Sequence, residues 1–170
     1  MKKTVTTLLI LIACMATAQA QKVTGTFAPL KEEARVKMNI DFSEADIMGM
    51  SEEEFTVYET DWTHDKVEIV SLFYNFANEA LDGTLVVGNY KFDTDYTLDL
   101  LVRTVDVRGN YDCDLILLQE TENGLEEVAK AEGLYARGGL FGTKLNLMKD
   151  GARHTGDALG KFLLQAMRRL

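Results

Sequence analysis

Arg137-Gly138-Gly139-Leu140-Phe141-Gly142-Thr143-Lys144 is the stretch of this 170-residue chain best suited to holding a ligand. Glycines beside Arg and Lys can turn backbone N–H groups and two cations toward one anion. Arg137, Gly138, Gly139, Gly142 and Lys144 are therefore the candidate ligand-binding residues. The run lacks phosphate-loop spacing: Lys144 follows Thr143, and no glycine stands five positions before Gly142. It also follows strand-like sequence rather than opening a helix from a parallel strand. The same glycines read more simply as a flexible or bulged return between a sheet and the last helix, since glycine clusters usually mark turns.

The other reactive residue types are poorly placed for chemistry. In Asp112-Cys113-Asp114, strand alternation groups Cys113 with Tyr111, Leu115 and Leu117, and sends both aspartates to the opposite face. That describes a buried hydrophobe whose anionic neighbours raise its pKa rather than activate it. Asp61, His64 and Asp65 offer one histidine where a zinc site needs three or four ligands, so they read as a polar break between helical segments. Asp93 and Asp95 open like a calcium loop that Tyr96-Thr97 ends. Ser43, Ser51 and Ser71 stand in no G-x-S-x-G elbow. No catalytic residue, metal ligand or cofactor follows from these positions.

The elements that would carry them are legible from periodicity. Arg35 to Phe42 alternates strictly, a strand with one buried face. Ser51 and Glu54 form a capping box, with Glu52 and Glu53 at the positive end of a helix that continues through Phe55, Tyr58 and Trp62. Asp65 and Glu68 can cap a second helix, whose stripe Ile69/Val70, Phe73/Tyr74, Phe76/Ala77 and Ala80/Leu81 suits covering a sheet, and which Gly83 ends. Strands follow at Thr84–Tyr90, Tyr96–Val107, Tyr111–Thr121 and Leu125–Tyr135, the last two joined by Asn123-Gly124, a strong hairpin turn. Lys149 to Leu170 closes the chain as a helix. The order β, α, β, β, β, β, α predicts an α+β fold. We expect a two-layer sandwich, an antiparallel sheet of about five strands with two or three helices on one face. Gly156 and Gly160 weaken the last helix, and Ala129, Ala131 and Gly133 are small on one strand face. These two surfaces are expected to cross closely.

Composition narrows the function classes. The hydrophobic fraction of 46% suits a globular protein, and a net charge of −9 lacks the basic footprint of a general nucleic-acid binder. The charge is uneven: Lys31 to Asp82 holds 14 acidic and 4 basic residues, whereas Lys149 to Leu170 holds 5 basic and 2 acidic. A basic amphipathic helix can lie on an anionic membrane. A two-layer fold instead needs its apolar stripe for the core, placing it beside the acidic helix.

Lys2-Lys3, the apolar Leu8 to Ala16 and Ala18-Gln19-Ala20 have the anatomy of a signal peptide cleaved before Gln21. Residues 1–20 are then the signal and 21–170 a single α+β domain, with no segment long enough to span a bilayer. Leu11-Ile12-Ala13-Cys14 also fits a bacterial lipobox, so attachment to the membrane enters only through a lipidated Cys14. After cleavage Cys113 stands alone, and stability rests on the core rather than on a disulfide.

With Ala18-Gln19-Ala20-Gln21, the Asp46 to Trp62 segment and the run Gly138 to Leu147, the chain resembles small exported proteins of Bacteroidales to which no activity is assigned. The resemblance implies export and carries over no functional residues. The helix–strand order is similar to that of small α+β modules of cell-envelope lipoproteins and assembly factors, an analogy of fold. The expected function is a non-enzymatic exported cell-envelope protein acting as a binding module. Its partner would be an envelope protein or a small ligand, not nucleic acid. The alternatives are a small-ligand or lipid-binding module with a cleft between helices and sheet and, third, a small hydrolase. Export in soluble form predicts that the intact mass of the exported protein starts at Gln21. A mass that begins at Cys14 and carries acyl chains would establish the lipidated form instead.

Overall fold

A computed structural model of the chain describes residues 21–168; the expected signal peptide, Cys14 and the last two residues of the predicted final helix lie outside them. The elements run β1 (Lys22–Gly25), a 3-10 turn (Ala28–Glu32), β2 (Arg35–Asp41), β3 (Asp46–Ile47), α1 (Glu52–Tyr58), α2 (Trp62–Leu81), β4 (Val86–Gly88), β5 (Tyr96–Val105), β6 (Tyr111–Thr121), β7 (Gly124–Ala136) and α3 (Lys144–Ala166). The α+β two-layer architecture is as expected. The sheet is not: it has seven strands in the order β1-β7-β6-β5-β2-β4, with β3 paired to β5. β5, β6, β7 and β1 are antiparallel neighbours, but β2 is parallel to both β4 and β5, and β3 is parallel to β5. Parallel pairing follows from the α1–α2 crossover between β2 and β4, since parallel strands need a long connection. β1 and β3 are too short for a period of two to show in the sequence.

Alternation sets the core. β6 buries Tyr111, Cys113, Leu115 and Leu117 in strict sequence, and β5 buries Leu98, Leu100 and Val102 beside them. β7 keeps its inward face only by spending an extra residue: Gly133, at φ +73°, shifts burial from Ala129 and Ala131 to Leu134 and Ala136. α2 covers this face with Ile69, Phe73, Ala77 and Leu81, each fully buried and spaced for one helical stripe. Burying Phe73 alone contributes about 1.5–3 kcal/mol of transfer free energy. Its ring lies edge-on to Tyr111, centroids 5.3 Å apart, and Phe42 joins them at 6.4 Å from Phe73. The Tyr111 hydroxyl is buried there without a hydrogen-bond partner among the described residues, and burial raises its pKa well above the usual value.

α2 also closes the sheet's outer edge. Asn78 donates to the Val87 carbonyl and accepts from the Val87 N–H, both at 2.8 Å, so one carboxamide occupies the free side of β4. One turn earlier, the Tyr74 hydroxyl donates to the Met38 carbonyl of β2 at 2.7 Å. Unpaired edges invite association with another strand, and these two side chains remove that option here.

The close approach predicted for Gly156 and Gly160 is present, with a different partner. A Cβ on Gly156 would stand 2.6 Å from the Phe73 carbonyl oxygen, and one on Gly160 would stand 2.6 Å from that of Ala77. Both therefore face α2, not the small residues of β7. Two helices on one sheet face must meet each other, and only glycine lets their backbones come this near. The basic α3 thus lies beside the acidic α2, and Lys149 pairs with Glu68 at 2.7 Å. Helix starts moved too. α2 begins at Trp62 rather than near the predicted Asp65 cap, and α3 begins at Lys144, where Thr143 accepts the Asn146 N–H. The Ser51–Glu54 capping box is present as predicted. No helix among the described residues is long and apolar enough to cross a membrane.

Gly160→Ala gains about 1 kcal/mol of helix propensity but sets its methyl against backbone, so we expect a net loss of about 1–3 kcal/mol in denaturant unfolding. Gly160→Leu should leave little folded protein. A Gly160→Ala variant as stable as wild type would show that the two helix backbones do not press together at this position.

Candidate functional site

A cavity of about 420 Å³ opens where α1, the start of α2 and the start of α3 meet. Local sequence builds each wall. The Ser51 capping box starts α1 and aims Phe55 inward, where it is buried. Glu59, Thr60 and Asp61 then link α1 to α2, too short a connection to let Phe55 and Trp62 separate. Their rings meet edge-on at 5.0 Å, and the Trp62 indole N–H donates to Glu52 at 3.1 Å. Lys66 bonds the same Glu52 oxygen at 2.5 Å, so the floor is held by one carboxylate shared between two donors. Leu145 and Met148 of α3 complete the apolar lining.

The rim is acidic. Glu59, Asp61 and Asp65 all line the cavity, and among the described residues none takes part in an ion pair. The facing wall has Thr143 and Lys144. Lys144 is already engaged: its ammonium donates to the Tyr58 hydroxyl at 2.8 Å and sits 4.5 Å from that ring's centroid. The Tyr58 bond raises the Lys144 pKa further above its ordinary value.

The other residues singled out in the sequence are only partly brought together here. Lys144 lines the cavity; Arg137, Gly138, Gly139 and Gly142 do not. Gly138 and Gly139 are half-buried at the base of the loop between β7 and α3. A side chain on Gly138 would strike the backbone of Arg108 and Gly109, and one on Gly139 would meet Asp150 at 2.6 Å. The Gly138 N–H donates to the Asn110 carboxamide oxygen at 2.8 Å, so that donor already has a partner. Arg137 and Gly142 are exposed.

The anchor of this loop is a chain of hydrogen bonds that starts at Asp106. One carboxylate oxygen accepts from the N–H groups of Arg108 at 2.8 Å and Asn110 at 3.0 Å, and the other accepts from the Asn110 side chain at 2.7 Å. Asn110 in turn accepts from Gly138. Partial burial opposes ionisation of Asp106, but the bonds from Asn110 and Arg108 outweigh it and hold the pKa below the ordinary value. Above this anchored base, Leu140 and Phe141 are 89% and 91% exposed, the two most exposed large hydrophobic residues described.

Remaining reactive groups stay outside the site. Cys113 is buried in the sheet, and burial followed by Asp112 and Asp114 pushes its thiol far up. His64 is exposed, and no group of three His, Cys, Asp or Glu among the described residues could hold a metal ion. From the sequence, Asp61 and Asp65 read as weak metal ligands, a polar break and a helix cap, Phe55 and Trp62 as a helix face, and Glu59 carries no signal of its own. The signal shared by Glu59, Asp61 and Asp65 is the acidic excess before Gly83, which by itself describes a surface rather than a rim. Leu140 and Phe141 stood inside the glycine run in plain view, but solvent exposure is not a property of a dipeptide.

No protein-family model matches the chain, and no curated protein matches it. Among solved structures, the PelC dodecamer from Paraburkholderia phytofirmans is similar over 82% of this chain and 97% of its own, at 14% identity and a TM-score of 0.40. A PelC variant dodecamer from the same organism is similar over 88% and 98%, at 17% identity and a TM-score of 0.41. A likeness at this distance transfers no site residue and no activity.

The Asp106 anchor has a pH consequence. Because its folded pKa is depressed, its contribution is fully present above the unfolded value near 4 and is lost as pH falls through the folded value. Asp106→Asn should lower stability by about 1 kcal/mol at pH 7, and the gap to wild type should narrow in melts run toward pH 3. A gap that is constant with pH would assign the effect to shape rather than charge.

Proposed function

We propose that this chain is a non-enzymatic, exported cell-envelope protein that acts as a binding module. The single observation that carries the reading is the pair Leu140 and Phe141, 89% and 91% exposed on a loop whose base is pinned through Asn110 and Asp106. Two adjacent apolar side chains held in water by a rigid base are a contact waiting for a surface, because their burial against a partner returns transfer free energy without ordering a free segment. The nucleophiles support a role without chemistry. Cys113 is buried with its thiol protonated, and the hydroxyls of Ser51 and Ser71 are bonded to the helices that hold them.

Export rests on residues 1–20 as a signal peptide ahead of a single α+β domain at 21–170 and on the resemblance to exported Bacteroidales proteins, and the setting it implies is periplasmic or extracellular. Outer-membrane attachment through a lipidated Cys14 is the alternative form. The second functional reading, a small-ligand or lipid-binding module, is favoured by the cavity of about 420 Å³, which lies within the range of ligand pockets. Native mass spectrometry of the chain isolated from its envelope tests it directly, through a bound small molecule.

A Leu140→Ser/Phe141→Ser variant should keep its thermal midpoint, since exposed positions change stability by about 0.5 kcal/mol or less. It should lose the partner that wild type retains in matched captures from the envelope, and a photo-cross-linking residue at position 141 should mark that partner. Identical captures from variant and wild type, with no cross-link at 141, would overturn the reading.

A further inference from the structure

We infer that the cavity and the Leu140-Phe141 tip form one docking surface, and that its occupant is a basic amphipathic peptide segment of a partner protein. A lysine or arginine side chain of that segment enters beside Glu59, Asp61 and Asp65, and apolar side chains from the same segment cover Leu140 and Phe141. The inference rests on the reading of the chain as a partner-binding module and names the partner's chemistry.

Three observations converge on that occupant. The first is charge: three carboxylates rim the cavity without an ion pair among the described residues, and the one ammonium at the rim, Lys144, is held by Tyr58. An incoming cation meets three carboxylates at the α1–α2 corner against the single ammonium of Lys144 on the facing wall. The second is the lining. Leu145 offers half-buried aliphatic surface for the methylene stem of a long basic side chain, and Phe55 and Trp62, themselves buried, back the cavity. The third is continuity: Thr143 and Lys144 belong both to the cavity wall and to the segment that carries Leu140 and Phe141, which tethers the apolar tip within a few residues of the cavity.

The same features weigh against other occupants. Anionic lipid headgroups at the loop would face the three rim carboxylates of a chain with net charge −9. A strand added at the β4 edge would have to displace Asn78 from both polar groups of Val87. A peptide that brings its own cation and its own apolar face meets neither obstacle.

The chain has one tryptophan, Trp62, and it lies in the cavity wall, so its emission reports occupancy. The probe is a tryptophan-free synthetic peptide of about 14 residues, roughly four helical turns, with lysines on one face and leucines on the other. Controls are its counterpart with glutamate for lysine and vesicles of anionic phospholipid. The expected result is a saturable change in Trp62 emission with the basic peptide alone. Affinity should fall about tenfold or more in Glu59→Gln/Asp61→Asn/Asp65→Asn and in Leu140→Ser/Phe141→Ser. It should be retained in Glu122→Gln/Glu126→Gln/Glu127→Gln, which removes the same charge from the exposed β6–β7 hairpin.

Equal loss in the hairpin variant would reduce the effect to net charge and overturn the inference. So would tighter binding of the acidic peptide or of the vesicles, or self-association that the Leu140→Ser/Phe141→Ser variant abolishes. If position 141 cross-links an envelope protein while the basic peptide leaves Trp62 unchanged, the partner's chemistry is wrong and the binding-module reading stands. If both fail, both fall.

Discussion

The contact between α2 and α3 is the constraint on which the rest of the molecule depends. Gly156 and Gly160 stand where any Cβ would press on the carbonyls of Phe73 and Ala77, so the two helices lie backbone to backbone over the sheet. That spacing sets where the start of α3, capped by Thr143, lies relative to α2. It brings Thr143, Lys144 and Leu145 against the α1–α2 corner and leaves a cavity there instead of a packed joint. Farther along α3, Gly151 plays the matching part against the β5–β6 turn, where a side chain would overlap the backbone of Gly109 and the ring of Tyr111. α3 is therefore fixed at two places on the fold, and the loop before it inherits that position. The glycines cost helix propensity and return proximity, and proximity is what a two-layer fold with paired helices needs.

The opposite face of the sheet has no helix and is protected by charge. Glu44, Arg103, Asp114, Lys130, Glu132 and Lys22 alternate in sign across it, with successive separations of 3.4, 3.0, 3.8, 2.8 and 3.2 Å. The exposed outer pairs, Glu44–Arg103 and Lys22–Glu132, add little stability individually, about 0–1 kcal/mol each, while Asp114 at the centre is largely covered. Their value here is that charge is spread across the helix-free face, and Asp114 also accepts the N–H of Gly133 at the bulge of β7. Together with Asn78 and Tyr74 at the β2–β4 edge, this leaves the Leu140-Phe141 loop as a place where apolar surface is offered to solvent without such cover.

Much of this was legible in the residues. The Ser51 capping box, the stripe of α2, the limits of β6 and the burial of Cys113 each depend on neighbours within a few positions, and local periodicity and capping chemistry report such neighbours directly. The β5–β6–β7 meander was equally readable, because short turns leave antiparallel pairing as the only geometry. The site was less so. Of the five residues chosen for it, only Lys144 borders the cavity, and the glycines were chosen for N–H groups of which Gly138 already has a partner in Asn110. That partner lies 28 positions away, a distance no local pattern reports.

What the sequence by itself determined is the class of the fold and the identity of its longer elements, since amphipathic period and turn chemistry are properties of short stretches. Only the tertiary structure decided that β2 lies between β4 and β5, that the glycines of α3 meet α2 rather than β7, and that Glu59, Asp61 and Asp65 rim one cavity with Lys144. These are contacts between segments whose local preferences are satisfied in several arrangements. The choice among them is made by packing, through which backbones can approach and which polar groups would otherwise be left unpaired.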